Sequence, residues 1–269
     1  MTTEATDPID STQSGLLKAI SLIGLLLGVG LSLFALSSVV GIWVDLWDFR
    51  KAFSLLGMAH KYALPIAWVC VAISAVVIAG SWLASPRKRA AYTVLALLGA
   101  GAAWAAYLVP EGYRPPEGVN YPPIHDISTD RVTPPQFVAV APLRADAPNS
   151  IEYGVSEGMT PEQLAELTEE AYPDLVTRRY DASVQATFDK AVETVESLGW
   201  ELVAADASDG RIEATDTTLW FRFKDDVVIR IQSDGDGSVV DARSVSRVGR
   251  GDVGANAIRL RKFFERLNP

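Results

Sequence analysis

Long apolar runs with brief polar breaks fill the first 110 residues. No charge lies between Lys18 and Asp45, between Lys61 and Arg87, or between Arg89 and Glu111. Each run exceeds the roughly 20 apolar residues that cross a bilayer core. The pattern therefore predicts three transmembrane helices over 16–110, behind a short tail, 1–15. Trp43, Trp47, Tyr62, Trp82, Tyr92, Trp104 and Tyr107 fall near the segment ends, where amphipathic rings prefer the interface. The tail carries Glu4, Asp7 and Asp10, not the basic region of a cleaved signal peptide. Between Asp45 and Lys61, the spacing of Leu46, Phe49, Phe53 and Leu56 beside Arg50, Lys51 and Lys61 predicts a separate interfacial helix. Gly24 and Gly28 form a GxxxG pair, and Gly99 to Ala103 are small; both suit close helix packing, within one chain or across a dimer. No ionisable side chain sits deep in a segment, so no ion path or proton relay is visible.

Nine of the fifteen prolines lie between Pro110 and Pro148, and 111–150 reads as an extended linker that lies on the membrane surface or wraps the following domain. From 151 the pattern is that of a small α+β domain. Thr160, Pro161 and Gln163 form a capping-box helix start. Leu175 to Tyr180 reads as a strand. Val184, Phe188, Ala191, Val192, Val195 and Leu198 recur at helical spacing, and Gly199 ends that helix. Strands follow at 200–205, 211–215, 219–223, 227–232 and 238–246, with turns at Asp209-Gly210 and 234–237. A last helix spans 252–267, with Asp252 as its N-cap. The simplest arrangement is an antiparallel sheet with two helices on one face. Its expected core is Phe188, Val192, Val195, Leu198, Ile212, Phe221, Phe223, Val227, Ile229, Ile231, Val240, Leu260 and Phe264.

Charge sharpens the division. The mean hydropathy of +0.16 averages two unlike regions. Residues before Pro110 hold 5 acids and 7 bases; the rest hold 28 acids and 17 bases, a net −11. That is no footprint for nucleic acid. One cysteine and two histidines exclude a disulfide scaffold and a multi-cysteine or histidine-rich metal centre. The Arg87, Lys88, Arg89 turn assigns the N-terminus to the cytoplasm and the C-terminal domain to the outside, although all short loops together tie in basic residues.

From Tyr121 to Leu267 the chain resembles the domain of unknown function family 1499. The resemblance rests on 122–130 (PPIHDISTD), Gly199-Trp200, 210–215 (GRIEAT), 225–230 (DDVVIR), 241–249 (DARSVSRVG) and 252–256 (DVGAN). The family lends no activity and no catalytic residues. Membrane segments before such a domain look like those of bacterial members, which implies the inner membrane with a periplasmic domain. The element order is also similar to helix-grip domains of a small lipoprotein of outer-membrane β-barrel assembly, a fold-level analogy only.

Gly249 to Gly254 matches G-x-G-x-x-G, but too little chain follows for a dinucleotide fold, so these glycines serve the turn into the last helix. His125-Asp126 lacks a nucleophile, and Asp234 and Asp236 lack the rest of a calcium loop. No catalytic residue, cofactor or metal is expected. Two functions remain: a membrane-anchored binding module of the envelope, or an envelope hydrolase using His125 and carboxylates. Strand alternation places Arg211, Glu213, Trp220, Arg222, Asp226, Arg230, Asp241 and Arg243 on the sheet face away from the helices. That face reads either as a ladder of cross-strand ion pairs or as a docking surface; on the second reading Trp220, Arg222, Arg230 and Arg243 are the expected binding residues, for membrane lipids, an envelope protein or an anionic ligand.

Overall fold

The computed structural model describes residues 8–82, 86–116, 118–155 and 158–267, without the side chains of 8–11, 86 and 87. Two compact units divide after Pro115, so the proline-rich residues from Pro116 onward fall within the second. The turn expected at Arg87, Lys88 and Arg89 is instead the start of the third helix, Pro86–Glu111; residues 83–85 and the Arg87 side chain lie outside the described residues.

Three helices build the first unit: α1 (Pro8–Trp43), α2 (Phe49–Ser81) and α3 (Pro86–Glu111). All three are long and apolar enough to cross a membrane. Small residues set their packing. The α2 stripe Ala59, Ala63, Ala67, Cys70, Ser74 and Val77 is buried, as are Ala96, Ala100, Ala103 and Ala106 of α3. A Cβ on Gly28 would fall 1.8 Å from the Gly99 carbonyl oxygen, so α1 and α3 meet backbone to backbone. The GxxxG pair thus serves packing within the chain. The predicted interfacial helix is corrected: residues 49–61 are the first turns of α2, capped by the Asp48 carboxylate on the Lys51 N–H at 2.9 Å. Helical hydrogen bonding simply runs on into the apolar span, since no proline interrupts it before Pro65. Near the other end of α3, His60 Nε2 lies 2.8 Å from Glu111, with its ring stacked on Tyr107.

The second unit is a six-stranded antiparallel sheet with three helices. In chain order it runs β1 (Asp126–Ser128), α4 (Pro161–Ala171), β2 (Arg178–Tyr180), α5 (Val184–Ser197), β3 (Glu201–Asp206), β4 (Arg211–Thr217), β5 (Lys224–Asp234), β6 (Gly237–Ser246) and α6 (Ala255–Arg266), with a 3-10 turn at Ala141–Arg144. The order across the sheet is β1-β6-β5-β4-β3, and β2 also pairs with β6. Alternation works as the sequence implies. Ile212, Ala214, Val227, Ile229, Ile231, Val240 and Ala242 point to one face and pack on Phe188, Ala191 and Val195 of α5 and on Ala257, Leu260 and Phe263 of α6. Val192, Leu198 and Phe264 pack at the margin of that core.

Three expectations change. Residues 219–223 are not a strand but the loop joining β4 to β5, so Phe221 and Phe223 leave the core and stack on each other instead. Leu219, Phe221 and Phe223 mimic a strand's alternation, while the pairing of Thr217 with Lys224 closes the hairpin around them. Asp252 is not the N-cap of α6; Gly254 is, at φ 80°. The Asp252 carboxylate caps from two residues earlier, accepting from the N–H groups of Gly254 (2.8 Å) and Asn256 (2.7 Å). The stretch read as linker contains β1, and its continuation covers the second sheet face.

Candidate functional site

The outer sheet face, opposite α5 and α6, is not open. Residues 129–151, continuing from β1, lie across it as a strap. Phe137 and Val140 of the strap pack on Val228 and Val245. The polar groups beneath find partners in the strap's backbone and side chains. The Glu213 carboxylate accepts three backbone N–H bonds, from Val138 (2.9 Å), Ala139 (3.0 Å) and Val140 (2.8 Å). Asp226 accepts from Arg144 (2.6 Å), from Arg247 (2.9 Å to each oxygen) and from Thr215 (2.6 Å). Burial raises the Asp226 pKa, but those hydrogen bonds outweigh it and hold the carboxyl below its ordinary range.

Arg243 is the centre of this layer. Its guanidinium binds Asp126 bidentately, Nε to Oδ1 at 2.8 Å and Nη2 to Oδ2 at 2.7 Å. It also donates to the carbonyls of Ile151 (2.6 Å) and Pro135 (3.3 Å). The rings of Phe137 and Tyr153 each lie 5.3 Å from it. Its exposure is 0%. Burial pushes the Tyr153 hydroxyl up to about 12. Arg230, at the rim, donates to Asp130 (2.7 Å), Asp241 (2.9 Å) and the Thr133 carbonyl (2.8 Å). Burial raises Asp130, and hydrogen bonds from Thr133, Arg230 and Val132 lower it further than burial lifts it.

The four expected binding residues thus separate into two pairs. Arg230 and Arg243 hold the strap to the sheet, and no ligand reaches Arg243 without displacing it. Trp220 and Arg222 sit beyond the strap, in the β4–β5 loop, where Arg222 is exposed and Trp220 half-buried. His125 is buried at 1% exposure; its carbonyl accepts from Ser246 N–H (3.0 Å) and Asn256 Nδ2 (2.9 Å). Ser128 is also buried and donates to the Asp130 carbonyl at 2.7 Å. A second polar cluster, under α6, joins Ser244, Asn256, Arg259 and Asp225. Among the described residues, no group of three or more His, Cys, Asp or Glu side chains is placed to hold a metal.

A groove of about 520 Å³ opens between β2 and the end of α6. Leu175, Tyr180 and Leu267 contribute apolar surface, and Arg178, Arg179 and Arg261 contribute guanidinium groups. Asp174 and Glu265 are its acids. Arg261 grips Asp174 through two bonds of 2.6 and 2.7 Å, and Arg178 lies over the Phe264 ring. The hydrogen bond from Arg261 is the main reason the Asp174 carboxyl sits below its ordinary range. Arg179 pairs with Asp234. Sequence reasoning missed this groove, because β2 and α6 are some 80 residues apart and neither carries a motif.

A family model described as "Protein of unknown function (DUF1499)" matches residues 126–267. No curated protein and no solved structure matches the chain. The matched region begins at β1 and takes in Asp126, Arg243 and Asn256, which join β1, β6, the strap and α6.

Proposed function

From the premise that the chain belongs to the DUF1499 family of proteins of unknown function, we propose that it is a membrane-anchored binding module of the bacterial cell envelope. Its C-terminal unit faces the periplasm and takes an anionic ligand in the groove between β2 and α6. One observation carries this reading: three guanidinium groups gather against two carboxylates over an apolar floor, a local excess of positive charge in a region whose net charge is −11. Planar guanidinium groups bind carboxylate and phosphate bidentately, and the apolar floor suits the body of such a ligand. Three helices able to cross a membrane supply the anchor. The basic Arg87, Lys88 and Arg89 at the start of α3 favour a cytoplasmic N-terminus. A hydrolase centred on His125 has no comparable support, since that side chain is sealed from any substrate.

The test uses the purified full chain in detergent. Binding of inorganic phosphate, citrate and a glutamate-rich peptide is measured by titration calorimetry against the Arg178→Gln/Arg179→Gln variant. Both side chains are exposed, so folding is retained. At least one probe is expected to bind and to weaken about tenfold or more in the variant, the scale of a lost charge-assisted hydrogen bond. Equal affinity in both proteins, or no binding of any probe, overturns the groove as an anion site.

A further inference from the structure

The sheet of the C-terminal unit has two unlike ends. One holds the β3–β4 turn, the β5–β6 turn and β2. The other holds the loop joining β4 to β5, which is pinned rather than loose. Thr218 N–H donates to the Phe223 carbonyl (2.8 Å), Arg222 N–H to the Thr218 carbonyl (3.1 Å) and Phe223 N–H to the Thr218 hydroxyl (2.8 Å). Arg222 is held at φ 52°, a left-handed conformation unfavourable for a side-chain-bearing residue. The ordered loop projects Leu219, which is 69% exposed, ahead of the half-buried Trp220. Arg222 and Lys224 are exposed beside them. No carboxylate lies between Asp216 and Asp225, although the unit as a whole is strongly acidic.

The chain enters the unit at this same end. Ser246 N–H bonds the His125 carbonyl, and Asp252 N–H bonds that of Ile124. A Cβ on Gly254 would fall 2.5 Å from the Tyr121 ring, so the entering segment lies tightly on the 249–254 loop. That loop leaves the end of β6, and the Arg247 N–H at its root bonds the Lys224 carbonyl at 3.0 Å. The segment from Glu111, the last residue of α3, to Tyr121 is ten residues long. Fully extended, it reaches at most about 35 Å. On the membrane-anchored reading, a tether of that length lets this end of the sheet reach the bilayer surface.

We propose that the 218–224 loop is a docking surface for the interfacial layer of an anionic bilayer. Leu219 and Trp220 seat among the headgroups, and Arg222 and Lys224 bind lipid phosphates. Apolar and indole side chains favour the interface, basic side chains reach phosphates from it, and an ordered loop loses little entropy on docking. The proposal rests on the membrane-anchored reading above and is independent of the groove.

The test uses the full chain in a Cys70→Ala background, since Cys70 is its only thiol. Leu219→Cys, or Asp236→Cys at the opposite end of the sheet, is labelled with a polarity-sensitive fluorophore. The protein is reconstituted in phosphatidylcholine vesicles with or without phosphatidylglycerol. The label at 219 is expected to be quenched by lipid-borne nitroxide and shielded from aqueous iodide several-fold relative to 236, more strongly with phosphatidylglycerol. Arg222→Glu/Lys224→Glu should abolish that increment. Equal iodide access at 219 and 236, or an increment unchanged by charge reversal, overturns the proposal. Flotation reads the anchor separately: a chain that fails to float with the vesicles overturns both readings, whereas a floating chain with a wet loop overturns only this one.

Discussion

Among the described residues, Arg243 is the largest side chain that solvent does not reach. The environment of a guanidinium so placed has to replace water completely. Asp126, two carbonyls and two ring faces do so. Removing one partner leaves the other as a buried, unpaired charge, which costs about 3–5 kcal/mol. Arg243→Met is therefore expected to destabilise the C-terminal unit by about that amount in urea denaturation. Arg243→Met with Asp126→Leu should recover part of the loss, because no orphan charge remains. A double variant as unstable as the sum of both single ones would show that the pair contributes nothing beyond its separate parts. Acid should act on the same layer. Asp226 and Asp130 titrate below their unfolded values, so the stability they contribute is present above about pH 4 and lost as pH falls through their folded values. Asp252 has the opposite sign: burial raises it, so its contribution is full below the unfolded value and shrinks as pH rises through the folded one. Asp226, Asp130 and Asp174 are depressed against the raised Asp252, and loss of stability below about pH 4 is expected. Asp226→Asn should flatten that acid limb while lowering stability at neutral pH. An acid limb identical to wild type would count against the assignment.

At the scale of elements, alternation in β4, β5 and β6 was readable directly, because one face is apolar and helix-covered. Phase within α6 was less so. Both phenylalanines lie near the apolar stripe, yet Phe263 is fully buried and stacked near Trp200, whereas Phe264 lies at the margin under Arg178. Phe263→Ala should therefore cost about 3–5 kcal/mol and Phe264→Ala clearly less; the reverse order in thermal melts would misplace the helix face. The strap escaped pattern reading altogether. Its prolines suppress periodicity, and its attachment is polar: the Glu213 carboxylate holds three successive N–H groups of residues 138–140. No spacing rule announces a carboxylate that binds backbone some 75 residues away. The arginines on the outer face were legible as a set, but their partners were not, and a buried layer and an open docking face share the same alternation.

For the molecule as a whole, membrane orientation decides which compartment meets the groove and the β4–β5 loop. A Ser208→Cys variant in the Cys70→Ala background places one thiol in the exposed β3–β4 turn. It is expected to react with a membrane-impermeant maleimide in intact spheroplasts. Reaction only after lysis would reverse the orientation and place groove and loop in the cytoplasm.

The pairing of Asp126 with Arg243 also constrains the order of events during synthesis. The two residues are 117 positions apart, and the strap emerges from the ribosome long before the strand it covers. Until β6 arrives Asp126 remains hydrated, just as the N–H groups of 138–140 wait for Glu213 in β4 and Arg144 waits for Asp226 in β5. The central strand that β1, β2 and β5 share is the last of the sheet to be made. The β3–β4–β5 meander can pair as the chain grows, but β1 and β2 wait for β6, and joining β1 to it closes a loop of more than a hundred residues. Through that interval the β5 edge that β6 will cover, with Val227, Ile229 and Ile231, is open to wrong partners. A protein built this way depends on folding quickly once complete, or on an escort until then.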